Sequence, residues 1–326
     1  MAKFKVYITD YDYPDISIEQ SVLEPMGAEV IGLQCKDGRG LAEQAFDANA
    51  LLAQYAKLPR ETIFSMEDLK IIARYGTGVD IVDVKAASER GIICTNVPNY
   101  CVDEVADHNL ALALMFVRRI PMFVAETKKG KWHWSETGLP VFRLNQLWLG
   151  LIAFGKIARN MARKAKALGF KVQTFDPFID PIIVEKEGVR RVEFETLLKT
   201  SDVVCVQCPL NEETYHLIGE EELRKMKRTA VLINCARGRI VDNKALYKAL
   251  KEGWIASAGL DDVEEEPAKR FDWTPAENPL FSLYNCFITP HVAYYSEQSI
   301  EEARRTASEE VAAVLLGKTP RYIVKP

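Results

Sequence analysis

The chain has 326 residues, enough for two domains of ordinary size. Apolar residues make up 48% and charged residues 27%, and a net charge of −4 excludes electrostatic capture by nucleic acid or an anionic membrane. No apolar run approaches the roughly 20 residues of a membrane span, MAKFKVYITD lacks the apolar core of a signal peptide, and an odd seven cysteines at scattered spacing fit reduced thiols in the cytoplasm.

From the N-terminus the pattern predicts a strand over 5–9, a helix over 18–26, and strands over 28–33, 50–55 and 69–74. A helix over 84–90 ends at Gly91, and a strand follows over 92–95. A long helical stretch over 102–123, broken before Pro121, has the length of a connector between domains. The loop KGKWHWSETGLP carries two tryptophans, read as packing under a loop or at a subunit contact, because nothing nearby makes them a base-stacking platform. Strands over 147–152, 171–175, 203–207, 230–234, 256–260 and 287–289 then alternate with helices over 156–168, 194–199, 220–225 and 244–252. An amphipathic helix over 297–316 is expected to return to the first domain. Such alternation predicts an α/β fold with mostly parallel sheets. The expected division is 1–98 completed by 293–326, with 99–292 as the second domain.

Within the second domain, LGLIAFGKIARNMA (149–162) nearly spells the dinucleotide fingerprint G-x-G-x-x-G between a strand and a helix. Its three positions read Ala153, Gly155 and Ala158. Gly155 keeps the position where backbone approaches pyrophosphate, and alanine is tolerated at the packing position. Ala153 is the real departure: if the turn needs glycine-like dihedrals, its Cβ costs on the order of 1–2 kcal/mol. Lys156 at the helix start could recover affinity by pairing with the pyrophosphate. Asp176, about 20 residues on, stands where a carboxylate accepts ribose hydroxyls and repels a 2′-phosphate, so NAD is favoured over NADP. Cys205 and Cys208 form a CxxC, but in a buried strand residues three apart point to opposite faces, which favours packing over redox chemistry.

The segments RYGTGVD (74–80), NVPNYCVDEVADH (96–108), INCARGRIVD (233–242), GLDDVEEEP (259–267) and ITPHVAYYSEQS (288–299) resemble the D-isomer-specific 2-hydroxyacid dehydrogenase family. TPH-x-A-x-YSEQ and RYGTGVD are most similar to the branch containing C-terminal binding proteins. The resemblance implies a Rossmann-type NAD-binding domain inserted in a flavodoxin-like substrate domain, NAD(H)-dependent reduction of 2-oxo acids, and a homodimer. It implies His291 as the acid/base residue, Glu266 as the carboxylate that orients it, and Arg237 as the guanidinium that grips the substrate carboxylate. Arg74 and the amides around Gly76, Thr77 and Gly78 would bind that carboxylate too. Implied cofactor contacts are Gly155, Lys156, Ile157, Asp176, Cys208, Pro209, Asn211, Cys235 and Asp261; no metal site is expected.

Each of these residue types also has an ordinary reading. A lone histidine before a helix is more often a cap or core residue, a lone arginine after a strand is usually solvated, and DDVEEE reads as an exposed loop or a cation site. The expectation that Arg237, Glu266 and His291 each follow a strand of one sheet favours the catalytic reading, because such sheets place ligands there. His108, His133 and His216 are expected in structural or surface roles. RLNQLWLG lacks the glycine common ahead of the fingerprint strand, and Tyr294 stands where the C-terminal-binding-protein branch usually has tryptophan. Glu266 in place of glutamine separates the chain from the formate dehydrogenase relatives. The alternative to an enzyme is an NAD(H)-sensing, corepressor-like interaction protein with little turnover.

Overall fold

A computed structural model describes residues 3–137, 140–270 and 272–326. It divides into two compact units, one of Met1–Cys101, Ala268–Arg270 and Tyr295–Pro326, the other of Val102–Pro267 and Phe271–Tyr294.

In the first unit, β1 (Phe4–Ile8), α1 (Ser17–Leu23), β2 (Ala28–Gly32), α2 (Gly38–Gln44), β3 (Ala50–Ala53), α3 (Arg60–Ser65), β4 (Ile71–Arg74), α4 (Val84–Glu89) and β5 (Ile93–Thr95) alternate along the chain. The five strands pair in parallel in the order β2-β1-β3-β4-β5, the flavodoxin-like winding. β3 and β4 lie at the centre, and all their residues are buried, as apolar runs covered by helices on both faces must be.

The second unit begins with α5 (Val102–Val117) and α6 (Ile120–Lys128). The helical stretch expected over 102–123, with its break before Pro121, is two helices, and the second runs on to Lys128. Pro121 cannot donate to the carbonyl four residues back, so the chain turns at Arg119, in the left-handed region at φ 55°, and restarts with proline in the first turn. Then follow β6 (Trp148–Ile152), α7 (Lys156–Ala167), β7 (Lys171–Phe175), α8 (Pro181–Lys186), β8 (Arg190–Arg191), α9 (Phe194–Thr200), β9 (Val203–Val206), α10 (Glu220–Lys225), β10 (Val231–Asn234), α11 (Asn243–Glu252), β11 (Ser257–Leu260) and β12 (Cys286–Ile288). The sheet is parallel in the order β12-β11-β10-β9-β6-β7-β8. Chain order reverses between β6 and β9, whose ends Ile152 and Val206 are level, so the segments leaving them diverge and open a crevice. The final helix, α12 (Glu297–Leu315), belongs to the first unit, where Arg304 clasps the buried Glu19 of α1 through two hydrogen bonds of 2.9 and 2.6 Å.

Among the described residues no helix is long and apolar enough to cross a membrane. The short helices α2, α3 and α8 were not expected, since six or seven residues hold too few apolar positions to display a helical period.

Candidate active site

The fingerprint turn sits at the reversal point. Ala153 has φ 75°, the dihedral that glycine normally supplies, and its N–H is held by Phe175 O at 2.8 Å. Sequence reasoning thus located a strained position: a Cβ in the left-handed region costs about 1–2 kcal/mol. Gly155 is the N-cap of α7 and offers no side chain to cap its amides. A Cβ there would meet nothing within 4 Å, so the space beside Gly155 at the start of α7 is open, as a close-approaching pyrophosphate requires.

Asp176 directly follows β7 and fixes the turn. Its Oδ2 accepts Phe154 N–H at 2.8 Å and its Oδ1 accepts those of Phe178 and Ile179 at 2.9 and 3.1 Å. Three of the four acceptor positions of a carboxylate are thus committed to fixing the turn, which leaves one for a further donor. An open helix N-terminus with an acid at the next strand end is a donor and acceptor set that fits NAD. After β9, Cys208 is buried, Pro209 is exposed, and Asn211 closes a tight loop in which its Oδ1 accepts Thr214 N–H at 2.9 Å and Thr214 Oγ donates to Pro209 O at 2.6 Å. Cys205 and Cys208 pack into two different apolar layers, and burial pushes the Cys208 thiol up to about 11 and that of Cys205 higher still. Neither is a poised thiolate.

Beyond β10, Cys235 is half-buried and burial raises its thiol well above the usual range. The buried Asn234 shapes the next turn: its Oδ1 accepts Ala236 N–H at 3.0 Å and its Nδ2 donates to Arg237 O at 2.8 Å. Gly238 packs against the loop that follows β11, where an added Cβ would stand 2.2 Å from Val263 O. On the same two loops Arg239 meets Glu266, whose Oε2 lies 3.0 Å from the guanidinium and whose backbone is left-handed at φ 49°.

Asp261, 2% exposed, clamps the segment after β12. It accepts Thr289 Oγ–H at 2.5 Å and the amides of Val292 and Ala293 at 3.0 and 2.7 Å, and so brackets His291. His108 of α5 joins this clamp through Thr289 Oγ at 3.0 Å. His291 is also left-handed, φ 56°, and its Nδ1 is 3.5 Å from Asp262 Oδ2. Non-glycine residues in this region cluster where surrounding structure over-determines them, commonly at functional sites. Arg237, Glu266 and His291 accordingly sit on the loops leaving β10, β11 and β12, three adjacent strands of one sheet.

The cation reading of DDVEEE loses its ligands. Asp261 is spent on the clamp, Glu264 pairs with His216, Glu265 accepts from Asn243 and Asn278, and Glu266 takes Arg239. Asn234, His108 and Gly238 were not singled out as site-shaping residues. Only Gly238 carried a signal, as a glycine between two arginines.

In the first unit, Arg74 ends β4 and is 8% exposed. Among the described residues its Nε meets no hydrogen-bond acceptor, a costly state for a buried guanidinium that an anion would relieve. Gly76, φ 144°, makes room for it: a Cβ would fall 1.3 Å from Arg74 Nη1. The Gly76 N–H donates to Arg74 O at 2.9 Å. Thr77 is fixed by Asn96 Nδ2 on its carbonyl at 2.7 Å, and Gly78 follows it, half-buried.

Residues 110–293 match the family model described as D-isomer specific 2-hydroxyacid dehydrogenase, NAD binding domain. A glyoxylate reductase of Korarchaeum cryptofilum is 38% identical over 287 residues, 87% of this chain and 85% of that one. A D-3-phosphoglycerate dehydrogenase of Methanocaldococcus jannaschii is 36% identical over 98% of this chain, which spans 59% of that longer protein. The crystal structure of a D-lactate dehydrogenase from Aquifex aeolicus, complexed with NAD and lactic acid, superposes with a TM-score of 0.87 at 29% identity, covering 96% of both chains. With its fold and its nucleotide turn accounted for, this chain belongs to the D-isomer specific 2-hydroxyacid dehydrogenase family.

Proposed function

We propose that the protein reduces a small 2-oxo acid to the D-2-hydroxy acid with NADH. The observation that carries this reading is the placement of an arginine, a carboxylate and a histidine on neighbouring strand ends of the nucleotide-binding sheet, two of them in strained backbone. NADH, when bound, supplies the hydride to the carbonyl carbon. His291 gives its proton to the carbonyl oxygen, Arg237 holds the carboxylate by its planar fork and polarises the carbonyl, and Glu266 orients the imidazole. Arg74 offers its buried guanidinium to the same substrate class. The cofactor contacts are Gly155, Lys156 and Ile157 at the helix start, one oxygen of Asp176, the loop of Cys208, Pro209 and Asn211, and Cys235. Asp261 contributes through the segment it clamps.

The likeness of the YSEQ segment to the C-terminal-binding-protein branch supports an interaction role, but the full catalytic set and the reductases among the relatives favour the enzyme. Trp132 and Trp134, 88% and 79% exposed, are assigned to a homodimer contact, since aromatic side chains are enriched at interfaces. Sedimentation of a Trp132→Ala, Trp134→Ala variant should show monomer. Seven cysteines, none of them in a disulfide among the described residues, suit a reducing compartment such as the cytoplasm.

The test is NADH oxidation with glyoxylate, hydroxypyruvate, pyruvate and bulkier 2-oxo acids. Turnover of at least one is expected, with loss of about 100-fold or more in His291→Gln. A folded protein that binds NADH and reduces none of them would overturn the reading.

A further inference from the structure

We propose that Asp262 is a positioning residue for His291: its carboxylate receives Nδ1 of the imidazole and leaves Nε2 to act on the carbonyl. The inference rests on the oxidoreductase reading and adds to it a residue outside the motif assignments. Asp262 is 6% exposed. Its Oδ1 accepts Val263 N–H at 2.9 Å, while Oδ2 is closed off from solvent and, among the described residues, accepts no hydrogen bond. That oxygen stands 3.5 Å from His291 Nδ1. A buried carboxylate oxygen without a donor is costly, and its neighbour Asp261 shows that this loop can satisfy an acid completely. The imidazole nitrogen that approaches it is the donor assigned to it; such bonds are often long without substrate and tighten when it binds.

The approach is enforced from both sides. Asp261 fixes the amides of Val292 and Ala293, just beyond His291, and Thr289 just before it. The left-handed backbone of His291 then sets the direction of its ring, with Tyr294 edge-on at 6.2 Å. Glu266, the acid that the motif pairs with this histidine, also serves Arg239. The other ionisable groups on the elements that meet here are Glu264 and Glu265 beside it, Arg237 on the preceding loop, and His108 on α5 with Glu104 one turn before it.

The experiment is nitrogen NMR of histidine-labelled protein, with His291→Gln assigning the resonance, alongside the pH profile of glyoxylate reduction. Neutral His291 should carry its proton on Nδ1, and should keep it there in Glu266→Gln. In Asp262→Asn the imidazole should titrate about one pH unit lower, because an opposite charge at this distance favours the protonated ring. The alkaline limb of NADH-driven reduction, which needs protonated His291, should move down by the same amount. A proton on Nε2 in the parent protein, or an unmoved midpoint in Asp262→Asn, overturns the proposal. If Asp262→Asn fails to fold, the tautomer in Glu266→Gln decides. A shifted midpoint in a protein that turns over no 2-oxo acid would sink the functional reading and leave the Asp262–His291 coupling standing.

Discussion

Ala153 shows what one methyl group can do at a turn built for none. Its φ of 75° is strained whether or not a nucleotide is bound, so the cost falls on folding as well as on affinity. Ala153→Gly relieves about 1–2 kcal/mol of strain and gives back about 0.4–1 through the freer unfolded chain. A net gain of about 0.5–1 kcal/mol is expected in denaturant unfolding, with NADH bound at least as tightly by titration. Asp176 was legible as the proposed ribose acid from its distance along the chain. Its three backbone partners were not, because hydrogen bonds to main-chain amides leave no trace in residue type. Asp176→Asn should lower the kcat/KM preference for NADH over NADPH by about tenfold, as loss of a nearby charge allows. An unchanged ratio would contradict the ribose assignment.

At the scale of elements, alternating apolar runs revealed the strands, and the position of the fingerprint fixed where the second sheet begins. Close approach was less legible. Gly238 and Gly150 are glycines because something else occupies the space of a Cβ, Val263 backbone in one case and Ser201 Oγ at 2.1 Å in the other. Gly238→Ala would drive the arginine-bearing loop away from the loop of Glu266, since backbone at 2.2 Å cannot step aside as a flexible side chain can. The expected result is a loss of at least about tenfold in kcat/KM, with cofactor affinity by titration little changed, because the turn at Gly155 lies two strands away. The break at Arg119 was foreseeable from Pro121, and only the restart of a second helix beyond it was missed.

For the whole molecule, family motifs scattered from Arg74 to Ser299 made the two-part architecture readable, because each motif belongs at the end of a particular strand. What holds the chain's ends together was not readable. Glu19 and Arg304 are 285 positions apart, and nothing local marks them as partners. Both are buried, Tyr75 Oη donates to Glu19 at 3.0 Å, and burial raises the Tyr75 hydroxyl well above its usual range, so it stays a donor. Glu19→Ala would strand a guanidinium inside the first unit and should cost about 3–5 kcal/mol in thermal or denaturant unfolding.

That clasp also sets a timetable for biosynthesis. The strands β1 to β5 are made well before α12, which carries the cation that neutralises Glu19, and β5 meets Val324, whose N–H donates to Cys94 O at 2.9 Å, later still. The nucleotide-binding half has its strands in hand before then. Until α12 is made, Glu19 lacks the cation that pairs with it in the folded first unit.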